Sequence, residues 1–223
     1  NVITTGDVSI KLTETEYEDG DIVTSTTAYE DGFDSIVEGE TVNVRTESGN
    51  NASDYFDGGL LEPGTKLLKD PTIENDGSND AFVRATIEYS ATAPTGVTAP
   101  TFEEFMALTG LDFNTAADAN NGKWLVPAVA NTMTVYYDRA LKSGEITGSI
   151  FAIATDNSGE SYTIYFDGAK IGNEYKDMTF TIEITAEAIQ TKNVGTFDGS
   201  TAATAAAFWA NYSGIDFETG VAA

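Results

Sequence analysis

Two stretches of the chain alternate strictly between apolar and polar side chains. In the first, the apolar positions are Ala81, Val83, Ala85, Ile87 and Tyr89. In the second, they are Phe180, Ile182 and Ile184. Because successive side chains of a strand point to opposite faces, this period of two predicts strands at 81–89 and 178–188, each with one face in a core. Shorter apolar runs predict further strands at 123–129, 131–138, 148–155 and 161–167.

The N-terminal residues 2–12 show the same alternation, and the apolar residues of one parity are Val2, Val8, Ile10 and Leu12. They predict a half-buried strand that Gly6 divides. Further on, Pro63-Gly64 predicts a type II turn, because glycine accepts the positive φ of the third turn position. The following run "KLLKDPTIEN" predicts a strand at an edge or with a bulge, since Pro71 has no amide hydrogen to donate.

Two short helices interrupt the strand pattern. The first is predicted at about 102–109, where Thr101 and Glu104 have the spacing of a capping box and Gly110 suits the end of a helix. The second is predicted at about 201–212, with Ser200 at its start and Gly214 at its end. Its apolar residues have helical spacing: Ala205, Phe208, Trp209 and Tyr212.

Many short strands with turns between them and only two helices predict an all-β fold with minor helices, an antiparallel β-sandwich. The length of 223 residues suits a single domain over 1–223. Residues 14–58 are rich in Asp, Glu, Gly, Asn and Thr and are interpreted as an acidic loop or hairpin insertion, in which "TVNVRTE" can form one strand. Residues 196–223 form an alanine-rich tail that contains the second helix.

Charge and composition narrow the function. The chain has 36 acidic and 11 basic side chains and a formal charge of −25. Such a surface repels phosphate backbones and anionic lipid, which argues against nucleic-acid and membrane-surface binding. Histidine and cysteine are both absent, so the chain alone cannot build a Ser-His-Asp triad, a Cys-His dyad or an HExxH zinc site. The sequence has no run of 18 apolar residues, which argues against membrane insertion.

The absence of His and Cys does not exclude a binding or catalytic site built from carboxylates. The acidic clusters "EYEDGD", "ENDGSND" and "TDNSGES" offer the oxygen ligands that Ca²⁺ prefers. The candidate ligands of a structural Ca²⁺ are Asp19, Asp21, Asp76 and Asp80. Solvated turns are the simpler interpretation of these clusters, because Asp, Asn and Gly are the residues that turns use. Glu183 and Glu187 lie four residues apart, and on a strand this spacing predicts one outward face rather than a glycosidase pair. No other cofactor is expected.

Two further surface features have alternative interpretations. Several aromatic residues could form a sugar-binding platform, although aromatic residues at strand and helix spacing are more often core; they are Trp124, Tyr136, Tyr137, Trp209 and Tyr212. Asn51 and Asn211 stand in N-glycosylation sequons, which matter only where the source glycosylates.

Four segments, taken in order, resemble the TasA/camelysin family of secreted proteins. They are "NVITTGDVSIKLTE" at 1–14, the block "PGTKLLKDPTIENDGSNDAFVR" within 60–89, "VYYDRALKSGEITGSIFAI" at 135–153 and "FTIEITAEAIQTKNVG" at 180–195. The resemblance implies a jelly-roll-like sandwich and an extracellular protein that has lost a signal peptide. The chain starts at Asn1 and shows no signal peptide, which is expected of a processed or trimmed form.

Family members are subunits of biofilm-matrix fibres, and some are described as camelysin-type metalloproteases. The missing imidazole ligands favour the fibre subunit over a zinc protease; a non-polymerising cell-surface binding protein is the other alternative. The resemblance implies a head-to-tail homopolymer built by strand addition through the N-terminal segment, with an anchoring or accessory matrix protein as a further partner. Val2 and Ile3 are expected to reach the next subunit, whereas Val8, Ile10 and Leu12 stay in the home sheet.

Overall fold

The structure is a computed structural model that describes residues 8–18, 21–29, 35–36, 43–49, 63–175 and 177–212. Side chains are described for residues 8–14, 63–175 and 177–212. The described chain is mostly β, with antiparallel sheets and two short α-helices, which confirms the coarse fold class predicted from the sequence.

Two sheets contain most of the strands. A three-stranded sheet has the order β2-β1-β6 and is formed by β1 (Ile10–Glu18), β2 (Asp21–Tyr29) and β6 (Thr72–Asn75). A six-stranded sheet has the order β3-β4-β13-β7-β9-β8. Its members are β3 (Ser35–Ile36), β4 (Asn43–Gly49), β7 (Ala81–Thr92), β8 (Trp124–Leu125), β9 (Thr132–Tyr137) and β13 (Thr179–Gln190).

Two small antiparallel strand pairs complete the described β structure. One joins β5 (Lys66–Leu67) to β12 (Ile164–Tyr165), and the other joins β10 (Ala154–Thr155) to β11 (Ser161–Tyr162). A 3₁₀ helix lies at Asn173–Tyr175.

The two stretches with strict alternation form the centre of the six-stranded sheet. β7 and β13 pair along their whole length, from Thr179 opposite Thr92 to Gln190 opposite Ala81. The buried residues of β7 follow the predicted period of two: Ala81, Val83, Ala85, Ile87 and Tyr89. The predicted strands at 81–89 and 178–188 are therefore confirmed; β7 extends to Thr92, and β13 begins at Thr179 and ends at Gln190.

One apolar core is shared by the two sheets. Val8, Ile10 and Leu12 at the start of β1 and Ile73 on β6 belong to the same buried cluster as the inward residues of β7, β9 and β13. All four are at most 2% exposed. The inward face of β1 thus closes the core of its own chain.

Residues 14–58 contribute the second half of β1 together with β2, β3 and β4. β1 and β2 form an antiparallel hairpin. β4 pairs with β13 from Gly49 opposite Ile184 to Val44 opposite Ile189, so part of this acidic segment belongs to the main sheet.

The first helix, α1 (Phe102–Thr109), begins and ends as the sequence predicts. The Thr101 hydroxyl accepts from the amide of Glu104, the Glu104 carboxylate accepts from the amide of Thr101, and Gly110 has φ +73°. Phe102 and Phe105 pack on the ring of Tyr89, with ring centroids 5.2 and 5.3 Å away. The helix therefore closes one end of the shared core.

The second helix, α2 (Ala202–Ala210), begins one residue later than predicted. Thr201 rather than Ser200 caps it, because Thr201 exchanges hydrogen bonds with Thr204 three residues on. The helix ends at Asn211, and the predicted end at Gly214 lies outside the described residues. Its apolar face forms a second cluster with Leu125, Tyr136 and Ile189.

Four predicted strands are shorter or more broken than expected. The run around Pro71 is two strands, β5 and β6, because the proline cannot continue the ladder. Only Trp124–Leu125 is a strand within 123–129, which contains Pro127. Within 148–155 and 161–167, strands cover only 154–155, 161–162 and 164–165.

A single carboxylate organises the loops beside β9. Asp118 accepts hydrogen bonds from the Tyr137 hydroxyl (2.6 Å) and from the amides of Gly148, Asn120 and Gly122. Burial alone would raise the pKa of Asp118, but these donors hold that pKa below its ordinary value. These four hydrogen bonds join β9 to the loops at 118–122 and at 148, so Asp118 has a structural role.

Candidate assembly edge

Within the described residues, the six-stranded sheet ends in short strands on both sides. β3 and β8 are two residues long each. Short edge strands offer few backbone groups to another chain, which is one way in which proteins protect sheet edges. These two edges are therefore weak candidates for contact with another strand.

The β6 edge of the three-stranded sheet is covered by the segment at 144–150. Asn75 donates to the carbonyl of Glu145 (3.0 Å), Thr147 donates to Ile73 (2.9 Å) and Ile150 donates to Pro71 (2.9 Å). The segment thus satisfies the outer backbone groups of β6 and closes this edge.

The remaining edge is β2, which is nine residues long. Among the described residues, the ladder of β2 is with β1 alone. The strand has one charged residue, Asp21, and none from Ile22 to Tyr29. A long edge strand without charges is a template for strand addition.

A bulge divides this edge. The register passes from Thr15 opposite Thr26 directly to Glu16 opposite Val23, so Thr24 and Ser25 have no partner on β1. The uninterrupted part next to the body of the protein is Thr26–Tyr29, which lies opposite Leu12–Thr15.

A half-buried ion pair fixes β1 beside this stretch. Glu14, in register with Thr27, accepts two hydrogen bonds from the Lys69 ammonium, at 2.7 and 2.9 Å. The Glu14 and Lys69 side chains are 11% and 14% exposed. Burial raises the pKa of Glu14 above its ordinary value, against the opposing effect of Lys69. No local pattern in the sequence indicates this pair, because its partners are 55 residues apart.

The residues of the expected assembly strand fall into two groups. Val8, Ile10 and Leu12 are 0–2% exposed and lie in the core of their own chain. Val2 and Ile3 lie outside the described residues. The backbone carbonyl of Ser9 accepts a hydrogen bond from the amide of Gly77, in the turn that follows β6.

Of the four candidate Ca²⁺ ligands, Asp76 and Asp80 have side chains in the described part of the chain. Asp19 lies outside it, and of Asp21 only the backbone is described. Asp76 forms an ion pair with Lys11 at 3.5 Å, and the backbone carbonyl of Asp80 accepts from Thr191. The described residues contain no group of three or more acidic side chains that could hold a metal ion.

Asparagine organises the "ENDGSND" turn. The buried side-chain amide of Asn75 donates to the carbonyls of Asn79 and Leu141, and its oxygen accepts from the amide of Gly77.

In the acidic cluster "TDNSGES", the Lys66 ammonium lies between the carboxylates of Asp156 and Glu160. The hydrogen bond from Lys66 holds the pKa of Asp156 well below its usual range. A lysine of the chain thus supplies the cation at this turn.

The aromatic candidates for a sugar platform are all core residues. Trp124, Tyr136, Tyr137, Trp209 and Tyr212 are 0–9% exposed, which leaves no ring face available to a sugar. Of the two sequon asparagines, Asn211 is exposed at the end of α2, and Asn51 lies outside the described residues.

The sequence pattern predicts that the outward face of β13 is exposed to solvent. In the structure, part of this face is covered. The Glu187 carboxylate accepts from Arg84, and the Arg84 guanidinium stacks 4.5 Å from the ring of Trp209. The Glu187 side chain is 14% exposed. Helix α2 therefore covers this ion pair. Glu183 lies opposite Glu88 on β7.

A surface depression of about 590 Å³ lies between α1 and the 3₁₀ helix, and its lining includes Glu104, Leu108, Lys170 and Tyr175. The Glu104 carboxylate already accepts a hydrogen bond in the cap of α1.

No helix in the described part of the chain is long and apolar enough to cross a membrane. Comparison of the chain with protein-family models, curated proteins and solved structures found no match.

Proposed function

We propose that the protein is an extracellular structural protein, a subunit of a biofilm-matrix fibre that assembles head to tail by β-strand addition through its N-terminal segment. The observation that carries this proposal is the edge of β2, which pairs with no strand other than β1 among the described residues. Of the four edges of the two larger sheets, three are short or covered within the described residues, and β2 is long and charge-free from Ile22 to Tyr29.

The two contact surfaces of such a fibre are different. The donor segment precedes Val8, whereas the acceptor is the edge of β2. A contact between two different surfaces is heterologous, and when its rotation does not close it generates an open filament rather than a dimer. The resemblance of four segments to the TasA/camelysin family supports both the extracellular location and the fibre.

The finer fold belongs to the same proposal. We infer a jelly-roll-like sandwich from the core that Ile10, Leu12 and Ile73 share with the six-stranded sheet. In such a sandwich, an added strand extends one layer without disturbing the other.

The charge of the chain sets the conditions for assembly. Residues 14–58 carry thirteen acidic side chains and one basic side chain, Arg45. Stacked subunits therefore repel each other, and salt screens this repulsion beyond about 10 Å at 0.1 M. We expect filaments to need salt, Ca²⁺ or low pH.

Negative-stain electron microscopy of the purified protein tests the proposal. We expect regular filaments at physiological salt and dispersed particles after deletion of residues 1–5, with unchanged far-UV circular dichroism. Dispersed particles of the intact chain at every salt and Ca²⁺ concentration would refute the fibre. In that case, cleavage of casein would point to the protease, and no cleavage to a monomeric surface protein.

A further inference from the structure

We propose that the Glu14–Lys69 pair is a pH-sensitive contact, which holds the β1–β2 hairpin to the body of the protein more tightly in mild acid than at neutral pH. This contact lies within one chain, so the proposal concerns a monomer as much as a fibre subunit.

Glu14 occupies a core-facing position of β1. Ile10 and Leu12 precede it at a spacing of two, are at most 2% exposed and lie in the core that the two sheets share. Because side chains alternate along a strand, Glu14 points to the same side. The Glu14 side chain is 11% exposed. A carboxylate thus ends a row of buried apolar side chains, where water solvates it poorly.

The pair lies where the hairpin leaves the body. Within the described residues, the pairing of β1 with β6 ends at Thr13 opposite Thr72, and beyond that point the ladder of β1 is with β2. Lys69 belongs to the body, because its amide donates to the hydroxyl of the buried Thr163 at 2.7 Å. The Glu14–Lys69 pair therefore joins the root of the hairpin to a fixed point.

Two charged groups act on the Glu14 carboxylate in opposite directions. The Lys69 ammonium donates two hydrogen bonds to it, at 2.7 and 2.9 Å, and Asp70 acts on it as a like charge. Burial outweighs the attraction to Lys69, so the pKa of Glu14 lies above its ordinary value of 4.5. The ionised pair is thus a costly contact, since desolvation of two charges can exceed their attraction.

The other described side chains beside Glu14 bring little charge to it. Thr26–Ala28 of β2, next to Glu14 in the register, contain no titratable side chain. β6 carries Glu74, opposite Lys11 on the other face of the sheet. β13, which approaches β1, carries Glu183 and Glu187 on its outward face. Further charged residues on β1 and on the neighbouring β4 have only their backbone described: Glu16, Glu18, Arg45 and Glu47.

Acid favours the attached hairpin for a thermodynamic reason. When the hairpin opens, the Glu14 carboxylate meets water and its pKa returns to the ordinary value. The attached state therefore binds a proton more tightly. The stability that this proton contributes is fully present below the pKa of the open state and is lost as pH rises through the pKa of the attached state. Lys69 can still donate a hydrogen bond to the carbonyl oxygen of the protonated acid.

The candidate assembly edge is linked to pH through this contact. β2 is the outer strand of the hairpin, so its edge is better ordered when Glu14 is protonated. An ordered edge lowers the entropic cost of binding another strand. Only this consequence rests on the proposed fibre function, and the pH dependence of the attachment does not.

Hydrogen exchange of the intact chain in dilute solution, followed by mass spectrometry, tests the attachment. Rates are corrected for the pH dependence of chemical exchange. We expect the protection of residues 15–18 and 21–29 to rise at least ~threefold from about pH 7 to about pH 5. Glu14→Gln, an uncharged isostere, should give high protection at both pH values. The matched control is Glu88→Gln, which removes an exposed carboxylate from β7 and should keep the response of the natural chain.

A second variant distinguishes a pH-sensitive contact from a purely structural one. Lys69→Met removes the cation but keeps an apolar stem, so the ionised Glu14 loses its partner. The hairpin should then loosen at neutral pH and recover its protection in acid. Loss of protection at every pH would show a structural contact only and would overturn the proposal.

Two further results would also overturn it. One is an equal pH response of the natural chain and Glu14→Gln. The other is a ¹³C NMR titration in which the Glu14 carboxyl has its midpoint at or below 4.5. A chain that shows the expected response but forms no filaments at any pH would support the pH-sensitive contact and refute the fibre, so the two proposals fail separately.

Discussion

A substitution at Ile10 tests whether the start of β1 belongs to the core of its own subunit or to the contact with a neighbour. The Ile10 side chain is fully buried among residues of the same chain. Replacing it by Ala removes three methyl or methylene carbons and leaves a cavity between the two sheets. If the strand belongs to the home core, the isolated monomer must lose stability.

The expected loss is large. Truncation of a fully buried isoleucine to alanine costs about 2–5 kcal/mol, as lost transfer free energy together with the cavity. For a chain of this size, each kcal/mol shifts the midpoint of thermal unfolding by about 2–4 °C. Ile10→Ala should therefore lower Tm by about 4–20 °C.

The assay is urea and thermal unfolding, followed by circular dichroism, of chains that also lack residues 1–5, so that self-association does not contribute. The matched control is Ile153→Ala, because Ile153 is 49% exposed and its truncation should cost less than about 0.5 kcal/mol. Equal unfolding free energies for the two variants, together with loss of filaments in the intact chain carrying Ile10→Ala, would refute the reasoning and place Ile10 in the subunit contact.

Three further predictions concern other parts of the molecule. Gly199→Ala would place a Cβ atom 1.8 Å from the carbonyl oxygen of Asp138, whereas Gly195→Ala meets nothing within 4 Å; only the first should loosen the tail, cost about 1–3 kcal/mol and shift the fluorescence of Trp209 to the red. Asp118→Asn should lower the unfolding free energy above pH about 4. The folded-state pKa of Asp118 is depressed, so the stability that its carboxylate contributes is present above the pKa of the unfolded chain and is lost as pH falls through the folded pKa. The unfolding free energies of the natural chain and of Asp118→Asn, plotted against pH, should therefore converge in acid. Parallel curves from pH 7 to pH 2 would contradict the role given to Asp118. Casein cleavage by the purified protein should be absent with and without a chelator, since the chain has no His or Cys, and chelator-sensitive cleavage that is lost on mutating one carboxylate would show the opposite.

Local patterns in the sequence predict the regular elements well. The alternation of β7 and β13 reflects a real sheet with one buried face, and the capping box of α1 depends only on Thr101 and Glu104, three residues apart. Such features are decided by residues that are close in sequence, so the sequence alone contains their physical cause.

The features that local patterns do not predict are determined by contacts between residues far apart in the sequence. The segment at 148–155 is apolar enough for a regular strand, yet Ile150 donates to Pro71 and accepts from Asn114, on either side of it. The Glu14–Lys69 and Lys66–Asp156 pairs join residues 55 and 90 positions apart. No local pattern indicates them, because Lys and Glu on a strand are equally compatible with a solvated face.

The candidate assembly edge, β2, also depends on contacts between residues that are far apart in the sequence. The sequence places Ile22–Tyr29 in an acidic loop or hairpin, and the β-branched composition of this segment alone fits a central strand as well as an edge. Its place at the end of the order β2-β1-β6 follows from the pairing of β1 with β6, which brings Leu12 opposite Ile73. The N-terminal donor, in contrast, was expected from the resemblance and from Gly6.

The most direct test of the proposed fibre is a cryo-electron-microscopy map of filaments of the intact chain at physiological salt, at a resolution that separates strands. We expect each subunit to show a fourth strand beside Thr26–Tyr29 of β2, continuous in density with Val8 of the neighbouring subunit. A filament in which the β2 edge faces solvent, or in which residues 2–5 remain on their own subunit, would contradict strand addition as the way in which this protein assembles.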